Sequence, residues 1–221
     1  MLSATQLLTM LELQDRMNSK VDSNWIAQNN NWFRAIQVEG VEAIEHHGWK
    51  WWKMQQCDLP QLRMELVDIW HFILSAAIQN KQGQLLLTHS EMLADLNHKN
   101  NMVCFDSVKY ALGQLTLLDK IDLMVGLATA RRYSLELFEL ILADCGMSWK
   151  ELFKQYIGKN VLNFFRQDHG YKLGTYQKMW DGREDNEHLV ELLDAIDLSS
   201  EQVQEVLYKL LDERYRVATG A

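Results

Sequence analysis

The run EGVEAIEHHGWKWWKMQQCDLPQLRMELVD occupies residues 39–68 and contains two acidic pairs of the same spacing, Glu39 with Glu42 and Glu65 with Asp68. At i, i+3 the two carboxylates of each pair share a helix face. With about 100° per residue, Trp32, Ala35, Ile36 and Ala43 fall within about 60° of Glu39. Leu62, Ile69, Phe72 and Ala76 stand in the same relation to Glu65. Both pairs are therefore expected to look inward along apolar stripes. Four inward carboxylates cannot all ionise without a positive charge among them, because an unpaired buried carboxylate costs several kcal/mol or loses its charge. A divalent cation is the simplest answer, and an all-oxygen donor set points to Mg²⁺ or Mn²⁺ rather than zinc.

The rest of the chain agrees with a helical setting for these pairs. A single proline, 11 glycines and 10 methionines among 221 residues, with long segments rich in Leu, Glu and Lys, argue for an all-α chain. No run of strict alternation is long enough to predict a sheet. The length fits one substantial domain, and 48% hydrophobic residues supply its core. A net charge of −8 argues against a nucleic-acid partner, which needs surplus Lys and Arg. Cys57, Cys104 and Cys145 form no C-x-x-C pair and read as reduced thiols of a cytoplasmic protein. No signal segment or membrane-length apolar run is recognised.

In chain order, the spacing predicts a first helix over Thr5 to Val21. Gln14 and Asn18 lie within its apolar stripe, one turn apart. Buried amides need partners, so these two either read the donor and acceptor edge of a nucleobase or bond another helix. Trp32 to about His47 forms the next helix, stopped by Gly48, and the Trp49 to Lys53 turn suits a wall that stacks on a base. Asp58 and Pro60 open a third helix that ends near Asn80. His46 and His47 are adjacent, point about 100° apart, and are read as non-ligands. His71, at the border of the Glu65 stripe, reads as a packed or hydrogen-bonding histidine.

A short helix is expected around Ser90 to Leu96. From Phe105 to Cys145 two or three helices follow, broken near Asp119 to Asp122 and near Arg131 to Ser134, with no convergent polar cluster. Gly146 marks a stop, and Ser148 to Glu151 reads as a capping box. The segment 159–186 then carries five basic residues, Lys159, Arg166, Lys172, Lys178 and Arg183. Lys159, Asn163 and Arg166 recur at i, i+4, i+7 on one face, suited either to a triphosphate clamp or to a solvated surface. Gly170, Gly174 and Gly182 break the chain into a loop that can close over substrate. Two helices, about 186–197 and from a Ser199 to Gln202 capping box to about Tyr215, end the chain.

Four stretches carry a resemblance: LELQDRMN at 11–18, EGVEAIEHHGWKWWK at 39–53, ELVDIWHF at 65–72, and the segment from Lys159 to Leu189. With these the chain resembles the dimeric all-α dUTP diphosphatases, a branch of the α-helical, MazG-like nucleoside triphosphate pyrophosphatases. The resemblance implies one catalytic domain over 1–221, with a rigid helical bundle from about 1–80 plus the C-terminal helices. It also implies a smaller mobile helical part, a phosphate-binding segment at about 159–189, and a homodimer whose partner helps to complete the site. Glu39, Glu42, Glu65 and Asp68 would hold Mg²⁺, with Glu39 also orienting the attacking water. Lys159, Asn163, Arg166, Tyr171, Lys178 and Asn186 would contact phosphate. Gln14 and Asn18, with Trp49 or Trp52, would form the uracil pocket, and His71 and Phe72 would line its base or sugar side. The implied reaction is hydrolysis of dUTP to dUMP and pyrophosphate, with dUDP as a further substrate; it keeps uracil out of DNA and supplies dUMP. A sister enzyme for dCTP or for many nucleotides would share the metal and phosphate residues. A ferritin-like di-iron bundle would need Glu-x-x-His twice, and the chain contains none.

Overall fold

The computed structural model describes residues 1–196 and 203–220. Helix α1 spans Ala4–Val21 and is opened by a capping box in which Ser3 and Gln6 bond each other's backbone. A four-residue helix α2, Trp25–Gln28, leads to α3, Trp32–His47. Gly48, at φ 83°, ends α3 because a left-handed turn there suits a residue without Cβ. Asp58 caps α4, Leu59–Asn80, with Pro60 in its first turn. α4 is buried around most of its circumference and forms the axis of the main core.

Around this axis α3, α1 and α8, Trp149–Asp168, are packed. Trp70, at its middle, is fully buried. It stacks on Phe138 at 5.4 Å, meets Trp149 edge-on at 5.1 Å and donates to Met10 Sδ. α5, Leu85–Asn97, α6, Leu117–Thr129, and α7, Leu135–Asp144, complete this core. A second, smaller core joins the end of α8 to α9, Asp185–Ala195, and α10, Val203–Thr219, around Phe165, Trp180 and Leu211.

Two antiparallel hairpins depart from the purely helical expectation. Strands β1, Met102–Phe105, and β2, Val108–Ala111, pair across Asp106 and Ser107, at φ 48° and 65°. Two successive left-handed residues make the tight turn that matches strand twist, and four-residue strands are too short to show alternation. β3, Met179–Trp180, and β4, Arg183–Glu184, form a minimal second pair. The break expected near Asp119 to Asp122 is absent. Thr116 and Asp119 form a capping box, so α6 begins just before these acids and runs through them. The break near Arg131 to Ser134 is present, with Arg131 at φ 57°. α5 is longer than expected because it begins at Leu85 rather than Ser90. At Ser148 half of the expected box forms. Its hydroxyl accepts from Glu151 N at 3.2 Å, while the Glu151 carboxylate accepts from Gln155 instead. The Ser199 to Gln202 box lies outside the described residues.

Candidate active site

α3 and α4 lie against each other, and this contact brings the acidic pairs together. One oxygen each of Glu39, Glu42 and Glu65 falls within 4.8 Å of the others. Their burial is graded: Glu65 is buried, Glu39 half-buried and Glu42 exposed. The expectation that all four look inward is thus corrected at Glu42. Its place is the mouth of the site, because three residues along a helix fall about 60° short of a full turn. Asp68, also half-buried, directs Oδ2 to Lys159 Nζ at 2.9 Å.

The electrostatics follow from this crowding. Burial, then the Asp68 charge, pushes the Glu39 carboxyl up to about 8. Burial and Asp68 likewise raise Glu65 to about 7. Carboxylates that cannot comfortably ionise together hold a proton or a cation. Oxygen-only donors at this separation fit a hard divalent ion with ligands at about 2.0–2.6 Å. His46 Nε2 lies 3.4 Å from Glu65 Oε1 and so borders the cluster, while His47 Nδ1 faces the carbonyl of Gly48.

Beside the carboxylates, between α1 and α4, lies a cavity of about 220 Å³ lined by Gln14, Asn18, Asp68, His71, Phe72 and Asn163, with Trp25 and Trp32. Gln14 and Asn18 are buried here, as their place in the α1 stripe predicts. Gln14 Nε2 donates to Asn18 Oδ1 at 3.1 Å, and Asn18 Nδ2 donates to Ser75 Oγ at 3.0 Å. His71 is buried, and burial lowers its pKa to about 4, so the ring is neutral. Its Nδ1 lies 2.7 Å from Gln14 Oε1, and its Nε2 has no partner among the described residues.

The aromatic wall is not the expected one. Trp32 stacks on Phe72 at 6.2 Å within the cavity wall, whereas Trp49 and Trp52 pack in a separate cluster with Trp51. Trp49 is tied there by its bond to Glu45. Trp32 lies on the Glu39 stripe, and that shared face was the available signal. A larger cavity of about 340 Å³ between α1, α8 and α10 touches none of the predicted site residues.

The basic segment closes the site from the other side. Lys159 Nζ donates to Asn186 Oδ1 at 3.1 Å as well as pairing with Asp68. Arg166 makes a two-pronged pair with Asp185, Nε at 2.8 Å and Nη2 at 2.7 Å. It also donates to Asn163 and Asn186, each at 3.3 Å. Burial opposes the guanidinium charge, and the Asp185 carboxylate more than restores it. Lys159, Asn163, Arg166 and Asn186 are therefore brought together. Tyr171 stands at their edge, half exposed under the Arg166 guanidinium. Lys178 is apart, paired with Glu184 at the surface.

Asp185 was missed in the sequence. It is completely buried and also accepts from Tyr176 Oη at 2.8 Å. The Glu184-Asp185-Asn186 run after Gly182 was the only signal, and nothing in that run names Arg166 as its partner.

No helix among the described residues is long and apolar enough to cross a membrane. No curated protein matches the chain. The sequence model of one family, described as dUTPase, does match, over residues 6–171. This span is about three quarters of the 221 residues. It includes all four site carboxylates, both carboxamides, Lys159 and Arg166, and the chain accordingly belongs to the dUTPase family.

Proposed function

We propose that hydrolysis of dUTP to dUMP and pyrophosphate by this chain depends on a divalent cation, Mg²⁺ or Mn²⁺, held by Glu39, Glu42, Glu65 and Asp68. The observation that carries this reading is continuity. Three carboxylates lie within 4.8 Å of one another, Asp68 beside them pairs with Lys159 of the basic segment, and Asp68 and Asn163 border the cavity that holds Gln14 and Asn18. A nucleoside triphosphate presents the same order of chemistry along its length: base, sugar, phosphates, metal.

When bound, the cation supplies charge neutralisation on the phosphoryl oxygens and a more acidic water. Glu39, half-buried within the carboxylate cluster, orients the attacking water and takes its proton. Lys159 uses two of its three N–H bonds on Asp68 and Asn186, which leaves one for a phosphate oxygen. Arg166 uses four of its five on Asp185, Asn163 and Asn186. It therefore offers phosphate its charge and one N–H rather than a full fork. Gln14 and Asn18 contact the base, with Trp32 and Phe72 as the apolar wall.

dUDP, with the same base and one fewer phosphate, is proposed as a second substrate. A homodimer is supported by exposed apolar side chains, Trp51 at 86% and Met54 at 93%. Three free cysteines support a reducing, cytoplasmic setting. The deciding experiment is product release from dUTP, dUDP, dCTP, dTTP and UTP with Mg²⁺ and with EDTA. Preference for dUTP that EDTA abolishes is the expected result. Turnover of dUTP unchanged by EDTA would remove the metal from the proposal, and equal rates on all triphosphates would remove the base pocket.

A further inference from the structure

A carboxamide shows a ligand either its oxygen or its N–H groups, depending on how the amide is turned. What holds the turn therefore decides which base edge is complementary. In this molecule a chain of hydrogen bonds holds it. Ser75 Oγ donates its only proton to the backbone carbonyl of His71 at 2.9 Å. It can then only accept from Asn18, and Asn18 Nδ2 donates to it at 3.0 Å. Asn18 Oδ1 consequently faces Gln14 Nε2 and accepts from it at 3.1 Å.

Gln14 Oε1 is thereby turned inward. There it accepts from Tyr156 Oη at 3.0 Å and faces His71 Nδ1 at 2.7 Å. The Tyr156 hydroxyl is fully buried and lies 2.8 Å from the Met10 carbonyl as well, so its single proton is divided between two acceptors and Gln14 Oε1 keeps His71 Nδ1 as its nearer partner. An oxygen opposite His71 Nδ1 requires the hydrogen on that nitrogen and leaves Nε2 of the neutral ring bare, and Nε2 has no partner among the described residues. From Ser75 through Asn18 and Gln14 to His71 the chain runs one way. What it leaves for a ligand is one N–H on Gln14, one N–H on Asn18 and the second lone pair of Asn18 Oδ1.

We propose that Ser75 and Tyr156, neither of which lines the nucleotide cavity, are specificity-determining positioning residues. They set the direction of this chain so that the carboxamides meet the base with N–H groups. Uracil answers with two carbonyl oxygens. Cytosine places an amino donor where one of them stands, and a buried donor facing a donor is left unsatisfied. Reversal of the chain would turn both oxygens outward and favour the amino base. The proposal rests on the reading that Gln14 and Asn18 contact the base, and its test separates the two.

The test compares kcat/KM for dUTP and dCTP in Ser75→Ala, Tyr156→Phe and Gln14→Ala. In each of the first two, the dUTP preference is expected to fall about tenfold or more, the weight of one buried hydrogen bond, with the affinity for inorganic pyrophosphate unchanged. Loss of preference in Gln14→Ala but not in the other two overturns this proposal and leaves the base pocket standing. Preference retained in all three overturns both. The wild-type protein supplies a readout that needs no variant to fold. Correlation of ¹⁵N and ¹H shifts of the His71 ring, assigned by its loss in His71→Asn, is expected to show hydrogen on Nδ1 and a bare Nε2. Hydrogen on Nε2 overturns the proposal.

Discussion

At the scale of single residues, the site crowds together more carboxylates than can comfortably ionise at once. Glu39 and Glu65 hold protons more tightly than ordinary carboxylates, and Asp68 is balanced by Lys159. Glu39→Gln keeps the shape and removes the base, so kcat on dUTP is expected to fall about 10²- to 10⁴-fold with the melting temperature unchanged or raised. Turnover like that of the unmodified enzyme would take Glu39 out of the chemistry. Lys159→Ala removes a charge-assisted bond to phosphate, and kcat/KM is expected to drop about tenfold to a hundredfold. Because Lys159 contacts no base-reading group, dUTP and dCTP should lose alike. An unchanged kcat/KM would exclude the lysine from phosphate binding.

At the scale of elements, the pairing of α3 with α4 and of α3 with α6 sets the spacing of the carboxylates. Gly40, between the two glutamates of α3, makes the second contact possible: a Cβ there would lie 2.6 Å from Val125 Cγ2 on α6. Val125 is β-branched, and in a helix such a side chain has little rotamer freedom with which to yield. Gly40→Ala gains about 1 kcal/mol of helix propensity against an overpacking cost of about 1–3 kcal/mol. Its expected outcome is a lower denaturation midpoint. Adding Val125→Ala should remove the clash, so the double variant is expected to be more stable than the sum of the single changes predicts. Additive effects would show that the α3–α6 approach does not depend on the glycine.

For the whole molecule, the same charges link stability to pH and to metal. Folded-state pKa values of about 8 for Glu39 and about 7 for Glu65 stand above the ordinary 4.5. Folding therefore takes up protons, and stability is lost as pH rises through that range. His71 acts in the opposite sense, falling from 6.5 to about 4, but its one half-titrated proton at pH 6.5 is outweighed by the two carboxyls, and above about pH 7.5 it is neutral in both folded and unfolded chains. In EDTA the melting temperature is thus expected to fall from about pH 6.5 to about pH 8.5, and Mg²⁺ should raise it most at the upper end, where it replaces the missing protons. A flat profile in EDTA, or Mg²⁺ protection independent of pH, would count against crowded carboxylates as its cause.

Helical periodicity carries information about angles around one helix, and that much was legible in the chain itself. It placed Glu65, Gln14 and Asn18 on buried faces, aligned Lys159, Asn163 and Arg166, and marked the ends of α3 and α7 through Gly48 and Gly146. It could not say which faces meet. The spacing put Trp32 on the Glu39 face, but the choice of Trp32 over Trp49 and Trp52 for the cavity wall is made by how α3 packs on α4. Nor could it join Arg166 to Asp185, whose partnership crosses a glycine-broken loop and the second core. Nothing in the sequence singles out Tyr156 or Ser75, whose hydrogen-bond chain exists only in the folded distances. The sequence by itself determined the helices, the acidic pairs and the family. Only the tertiary structure decided which side chains complete the site, because packing distances are set by neighbours far along the chain while helix phase is set by neighbours three and four residues away.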